Sequence, residues 1–458
     1  MNKEKLGVLL FIGLLVIWGL TDVRSRASFD PLKPEKHRTD LTVFTEAGAA
    51  FYDGRDPYEV TNPRGWKYPN PPLFALLVAP LHALDPQWQG VIWFGLSLAL
   101  AWGCFIEGRR LMAGARSVFT WTERMERMVK PVSWYTFAAA LPPSLACLQR
   151  GQMGLAKTYF LLLGFRLIWL GRGRRQWLTG GVALALACVL KVLPIFPVFV
   201  LLMMLAVRPR LITSPSPSRF LNAFSGMALG GALFLFLIPA GLVGWKDNLS
   251  HLNSWVYQIG TKVSGIESTH RLGDPHTLRN QSFANAVFWL GNVLHNAWTR
   301  QPSLLHVDTR REGDTIMSRA PAQTVIHAAR YFIVLLFLLF SWQTARSGTP
   351  GDQAAVFGLA CVAALLFSPV ARGHYFMFLI PAWLFVPLAL MEKGLYAAAR
   401  WMSLSSLALI LGHFIFLPFL GKLGWLGVGS TLWLATAMIL LGRTLFKHHP
   451  VMSMQKRC

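Results

Sequence analysis

The sequence predicts an all-α polytopic membrane protein, a single domain over residues 1–458 with about twelve transmembrane helices, and three observations predict it. Of the 458 residues, 53% are hydrophobic and only 14% are charged. A soluble chain of this size needs far more polar surface. The apolar residues are gathered into runs long enough to cross, or nearly cross, a bilayer. The charges lie between those runs with Lys and Arg in excess, for a formal net charge of +23. In a soluble protein that balance would point to nucleic acid. Here the excess of Lys and Arg in short loops of a polytopic chain accounts for it, so no nucleic-acid partner is expected.

The runs follow in order. The first is Leu6–Leu20, after a basic start, and is read as a retained span rather than a cleaved signal because no small-x-small site follows it. Pro72–Glu107 comes next, broken by LDPQWQ. Then come Trp134–Leu148, Met153–Leu170, Trp177–Val192, Pro194–Val207, Phe220–Val243, Val325–Phe340, Ala354–Val370, Tyr375–Met391, Met402–Leu420 and Trp425–Leu441. Several are short or interrupted, which is tolerated where backbone lines a polar cavity. No repeat stands out, and SPSPSR at Ser214–Arg219 reads as a cytoplasmic linker.

Loop charges give the topology. GRGRR (Gly171–Arg175), Arg208–Arg210 and the tail with Arg443, Lys447, Lys456 and Arg457 fall on the cytoplasmic side. The first loop, Asp22–Pro71, has eight acidic and eight basic residues, a balance that suits the outer side. With Pro72–Glu107 crossing once, its first half bent or partly re-entrant, both termini are cytoplasmic. The outer face then collects loop 22–71, the turn Gln149–Gln152, the turn at Lys191, the long segment 244–322 and the turn SPVARGHY at Ser368–Tyr375. The polar residues that stand out are on one face, as expected of a multi-pass protein of the plasma (inner) membrane with one external site.

The residues at that face carry the chemistry. After Asp40, apolar side chains recur at Leu41, Val43, Phe44, Ala47, Ala50 and Phe51, the spacing of a short amphipathic helix lying along the membrane surface. Gly54 ends it, and Asp56-Pro57-Tyr58 turns the chain. Asp40 at its start reads as an N-cap, whose carboxylate accepts backbone N–H bonds, or as a catalytic carboxylate. Gln149-Arg150-Gly151-Gln152 is either an ordinary loop or a polar site at membrane depth, with Lys157 one to two turns on. Lys191 stands in ALACVLKVLPIFPVFVLL with no acidic neighbour in sequence. A charge there costs about 2.5–3.5 kcal/mol at the bilayer centre, so it snorkels to an interface or meets an anion such as a lipid phosphate. Asn280-Gln281-Ser282 matches a sequon, a weak signal. In the polar break at Ser368–Tyr375, Arg372 can hold a phosphate and His374 can bind or shuttle a proton, although a lone loop histidine is more often structural.

Some classes are disfavoured. No Walker A loop, GxGxxG fingerprint, HExxH or nucleophile elbow occurs, and no DxD pair that would hold a nucleotide sugar through a metal. No metal and no cofactor are expected. Cys104, Cys147, Cys188 and Cys361 lie in apolar runs and Cys458 is the last residue. They form no CxxC and no disulfide framework.

Taken in order, Asp-x-x-Val-Phe with Gly-x-x-Pro-Tyr, Tyr-Pro-x-Pro-Pro-Leu, Gly-Gln, Leu-Lys-x-x-Pro, Asn-Gln-Ser and Ser-Pro with His-Tyr resemble glycosyltransferase family 87, over roughly residues 40–390. The resemblance implies a GT-C fold and an inverting hexosyltransferase of the bacterial cell envelope, by default a mannosyltransferase. It implies a polyprenyl-phosphate sugar as donor and a lipid-linked or glycan hydroxyl as acceptor, with membrane lipid around the protein. By this resemblance Asp40 is the general base. Lys191 and Arg372, then Arg150, meet the leaving phosphate, and His374 positions acceptor or phosphate. Tyr68, Gln152, Asn280 and Gln281 are sugar or phosphate contacts. The chain departs from the pattern in Tyr-Pro-Asn-Pro-Pro and in VARGHY, where relatives more often carry a Trp and paired histidines. A lipid-linked sugar transporter or flippase is the rival reading. It needs polar residues through the whole membrane depth, whereas this sequence concentrates them on one side.

Overall fold

The computed structural model describes residues 13–207, 217–257, 280–299, 320–421 and 423–447. Among these every regular element is a helix, and the only β pairings are the isolated bridges Thr61–Lys67 and Asn280–Arg372. Helix α1 covers residues 13–26, with a π turn at Gly19–Val23. Then follow α2 (Leu41–Tyr52), α3 (Pro72–Val78, continued by a 3-10 turn at Ala79–Ala83), α4 (Pro86–Ala115), α5 (Glu123–Arg150), α6 (Gly154–Trp169), α7 (Arg174–Leu190) and α8 (Ile195–Val207). Next are α9 (Pro217–Gly231, continued through a π stretch to Ile238–Val243) and α10 (Trp245–Trp255). The last six are α11 (Phe283–Trp298), α12 (Ala320–Ser347), α13 (Pro350–Phe367), α14 (Ile380–Glu392, entered by a 3-10 turn at Gly373–Leu379), α15 (Tyr396–Ile415) and α16 (Trp425–Lys447).

A helix that is apolar all round has to be buried. Helices α13 and α14 are of this kind and form the centre of the core. They approach closely because position 358 is glycine. A Cβ there would stand 2.6 Å from Ala382 Cα. Phe357 stacks on Phe165 of α6 at 4.0 Å between ring centroids. Helices α4, α9 and α12 sit at the periphery and expose Trp102, Leu229 and Leu335 outward, as lipid-facing helices do.

By length and composition seven helices can cross a membrane: Pro86–Ala115, Ser218–Val243, Thr324–Ser347, Pro350–Phe367, Gly373–Glu392, Tyr396–Ile415 and Trp425–Arg443. The chain is a multi-pass membrane protein. The other predicted spans are helical but fall short of that standard. Helices α6, α7 and α8 have 16, 17 and 13 residues, below the roughly 20 that span a bilayer without help. Helix α5 is long, but its first turns, ERMERMVK, are charged. The start of the first predicted span, Arg208–Arg210, Lys456, Arg457 and most of segment 244–322 lie outside the described residues.

The structure bears out one detail of the sequence reading and corrects two. Leu84-Asp85 breaks Pro72–Glu107 into α3 and α4, and Asp85 caps the second piece through Gln87 N at 2.8 Å. The expected linker at Ser214–Arg219 is helical from Pro217, and Arg219 is buried with its guanidinium 5.2 Å over the Trp177 ring. Helix α2 is not a surface helix with one apolar stripe. Nine of its twelve residues are buried, on more than one face. Its small residues permit this: a Cβ on Gly48 would lie 2.4 Å from the Ala75 carbonyl of α3.

At the end of the bundle assigned to the cytoplasm, buried Glu107 pairs with Arg166 and with Arg110 at 2.7 Å. Asp352 pairs with Lys393 at 3.0 Å, and Glu392 accepts from Thr120 N at 2.8 Å. These contacts tie α4 to α6 and α13 to α14. The opposite end holds the polar turns.

Candidate active site

Asp40 occupies the N-cap position of α2, yet its carboxylate makes no cap. Its backbone is already αR (φ −89°, ψ −10°) rather than the extended geometry of a capping residue, so the side chain is not aimed at the next amides. Thr39 does part of that work, its Oγ1 accepting from Leu41 N at 3.3 Å. Asp40 turns instead to the 149–152 turn. Its Oδ2 accepts from Gln152 Nε2, and its Oδ1 has no hydrogen-bond partner among the described residues although the residue is only 3% exposed. A buried polar atom left unpaired needs an explanation, and the N-cap reading does not supply one.

Backbone contacts fix this juxtaposition. Asp40 N donates to the Arg150 carbonyl at 2.8 Å, and Thr39 Oγ1 donates to the same oxygen at 3.3 Å. Helix α5 ends there on Gly151 in the left-handed region (φ +67°), where a Cβ would stand 2.9 Å from both Leu41 Cβ and Thr39 Oγ1. Gly151 is therefore required twice, by its conformation and by the close approach of residues 39–41. We expect Gly151→Ala to cost about 1–3 kcal/mol and to displace Asp40. A lowered thermal midpoint together with reduced activity in the same preparation checks this. Gln149, the other glutamine of the turn, faces away and donates to Asp22 at 2.8 Å.

Cations gather around the Tyr375 ring. Helix α7 stops at Leu190, and Lys191 takes an extended backbone (φ −159°, ψ 131°) before α8. Its Nζ sits 3.7 Å from the Tyr375 centroid, so the ammonium turns onto an aromatic face inside the protein rather than snorkelling. Lys157 of α6 is fully buried, with Nζ 5.1 Å from the same centroid and 4.8 Å from that of Phe378. That Nζ has no hydrogen-bond partner. Arg372 is half-buried, 5.9 Å over Trp66 of the first loop. His374 is buried, edge-on to Tyr375 at 4.6 Å, and its Nε2 is unpaired. Its carbonyl accepts from Cys147 Sγ at 3.3 Å, which fastens the turn to α5. Lys191 stands in the field of Asp40 and Arg372, and Tyr375 in the fields of Arg372, Asp40 and Arg150. One site thus joins Asp40, Arg150, Gln152, Lys191, Arg372 and His374, and adds Lys157 and Tyr375.

Lys157 and Tyr375 were not singled out for the site by sequence. Lys157 carried a signal all the same, a lysine in the apolar run GLAKTYFLLLG with no acidic neighbour. Tyr375 carried only its place in the polar break Ser368–Tyr375 and in the His-Tyr motif, which gives it no role of its own.

Three nominated residues serve the frame instead. Tyr68 is buried; its hydroxyl donates to the Pro71 carbonyl at 2.5 Å and accepts from Ala75 N at 3.4 Å, shaping the entry to α3. Asn280 and Gln281 hold the last turn in place. Asn280 Nδ2 donates to Pro369 O at 3.1 Å, its Oδ1 accepts from Ala371 N at 2.9 Å, and Gln281 N donates to Ala371 O at 2.6 Å. Gln281 also reaches α16, its Oε1 accepting from Gly427 N at 3.3 Å.

A directional chain supports the loop before Asp40. His37 Nδ1 lies 3.1 Å from the Ser28 carbonyl, which can only accept, so Nδ1 carries the proton and Nε2 accepts from Thr42 Oγ1 at 2.7 Å. Thr42 in turn accepts from Asn62 Nδ2 at 3.2 Å. Burial holds the His37 imidazole below its ordinary value of 6.5. The folded loop resists the proton that the unfolded chain takes up, so its stability is full above about pH 6.5 and is lost as the pH falls from there toward the lowered folded value. Hydrogen-exchange protection factors at residues 28–42, taken relative to the intrinsic rate at each pH, are expected to fall from pH 7.5 to 5.5, and His37→Asn is expected to abolish that fall.

Among the described residues no group of three or more His, Cys, Asp or Glu is placed to hold a metal ion. No curated protein matches this chain. A family model does, over residues 68–369, which takes in Arg150, Gln152, Lys157, Lys191, Asn280 and Gln281. Asp40 precedes the matched region, and Arg372 and His374 follow it; geometry, not the match, joins them to the rest. With well over half of its length matched, the chain belongs to glycosyltransferase family 87.

Proposed function

We propose that this glycosyltransferase moves a hexose, mannose by default, from a polyprenyl-phosphate donor to a lipid-linked or glycan hydroxyl on the outer face of the plasma membrane. Both termini are cytoplasmic, and the helices form a GT-C arrangement of about twelve spans, three of them short. One observation carries the reading. The buried Asp40 carboxylate keeps one oxygen unpaired and stands within electrostatic reach of Lys191 and, through it, Arg372.

The chemistry follows from that arrangement. The carboxylate takes the proton of the acceptor hydroxyl, the hydroxyl oxygen bonds to the anomeric carbon, and the bond from that carbon to the phosphate oxygen breaks. Gln152 holds Oδ2, so Oδ1 is the oxygen left for the proton. The leaving phosphate keeps the electron pair, and Lys191 and Arg372, with Arg150, offset its charge. One carboxylate and a single displacement invert the anomeric centre. The transporter reading gains no support from the opposite end of the bundle, where Glu107, Arg166, Asp352 and Lys393 are locked in ion pairs.

Purified protein given radiolabelled polyprenyl-phosphate mannose and membrane lipids as acceptors is expected to label lipid or glycan. Nucleotide-linked mannose in its place is expected to give none. Transfer from the nucleotide sugar alone would sink the donor assignment.

A further inference from the structure

Lys157 is left over by that mechanism. It is 0% exposed, and among the described residues its Nζ has no hydrogen-bond partner and no carboxylate pairs with it. A lysine buried in this way is costly. The Nζ atoms of Lys157 and Lys191 both lie within 5.1 Å of one ring centroid, Tyr375, so burial and each other's charge oppose a second proton there until an anion arrives. Neither Lys157, Lys191 nor Arg372 has an ion-pair partner among the described residues, and Asp40 is the acidic group whose field reaches Lys191. A singly charged ligand balances too few of these groups, whereas a doubly charged one lets Lys157, Lys191 and Arg372 all carry their protons.

The proposed reaction supplies a ligand with more charge. The donor is a phosphodiester with one negative charge. When the bond between the anomeric carbon and the phosphate oxygen breaks, the electron pair stays on that oxygen and the leaving group becomes a monoester with two. The proton it does not take is on Asp40, which has become neutral. Across the step, negative charge moves from Asp40 to the phosphate.

We propose that Lys157, acting across the Tyr375 ring beside Lys191, sets the site's preference for a doubly charged phosphate monoester over a singly charged phosphodiester. Lys157 is a positioning residue here: it is sealed from the ligand and acts by its field and by its hold on Tyr375. The leaving group is thereby favoured as its second charge develops, and the lipid monophosphate product is retained and inhibits. The inference rests on the phosphate-donor reading and adds the charge state that the site selects.

Binding to purified protein tests it without turnover. The probes are a prenyl monophosphate, its methyl phosphodiester and inorganic phosphate, at about pH 8, where a monoester carries its second charge. Wild type is expected to bind the monoester on the order of 10-fold more tightly than the diester. Lys157→Met is expected to shrink that ratio to about 2–3-fold, chiefly by weakening the monoester, whereas Lys157→Arg retains it. Inorganic phosphate as tight as the prenyl monoester supports the charge selection and shows that the lipid adds nothing to it. Equal binding of both esters by wild type overturns the inference and leaves the donor reading standing. Equal weakening of both esters in Lys157→Met overturns it too, because a structural role predicts that. Absence of binding by either ester overturns the donor reading and this inference together.

Discussion

Asp40→Asn is expected to leave the protein folded and to lower the turnover of sugar transfer by about 10²–10⁴-fold, the usual worth of a general base. The geometry separates chemistry from structure at this position. Asparagine has the same shape, and its carbonyl oxygen can accept from Gln152 as Oδ2 does. The backbone bond from residue 40 to Arg150 O is unaffected. No helix cap is lost, because the carboxylate makes none. The thermal midpoint should therefore stay close to wild type while turnover collapses. A variant that keeps its activity would remove Asp40 from the chemistry. A variant that unfolds would give the carboxylate a structural task that its hydrogen bonds do not reveal.

The second large effect is expected at Lys191. Lys191→Met keeps most of the apolar stem and removes the charge 3.7 Å from the Tyr375 centroid. Losing one preorganised charge at a leaving group costs about 10²–10³-fold in turnover. Stability should hold or rise, because a partly buried ammonium without a carboxylate partner is costly to fold around. Steady-state kinetics and a melting curve on the same sample check both halves. A lysine that merely snorkelled would show neither, since methionine leaves the apolar contacts in place and an exposed charge contributes little.

Much of this was legible in the sequence, for identifiable reasons. The helical, membrane-embedded class follows from runs of apolar residues that no other fold accommodates. The breaks at Lys191 and Ser368–Tyr375 were readable because proline and charge interrupt those runs, and α7 and α13 do end there. The αL residue Gly54 ends α2 region geometry as expected, with φ +68° just beyond Tyr52. Placement of α2 was not legible. Its apolar stripe fits a membrane surface as well as a protein interior, and only the match of Gly48 to the Ala75 backbone decides between them. The same limit hid the work of Tyr68, Asn280 and Gln281. Their types suit sugar contacts, but Tyr68 bonds the backbone of the turn that follows it, and Asn280 and Gln281 bond backbone groups far away in sequence. Pairing of Asp40 with Gln152 across more than a hundred residues is likewise a tertiary fact, set by Gly151 against Thr39 and Leu41.

The most direct test of the central claim is the anomeric configuration of the product. Purified enzyme is given a polyprenyl-phosphate hexose labelled at C1, and carbon NMR reads the configuration of the transferred sugar and the release of polyprenyl monophosphate. One base and one displacement predict an inverted glycoside and the monophosphate in equal amounts. Retention of configuration would contradict the account, because it demands a second nucleophile that the Asp40 site does not provide.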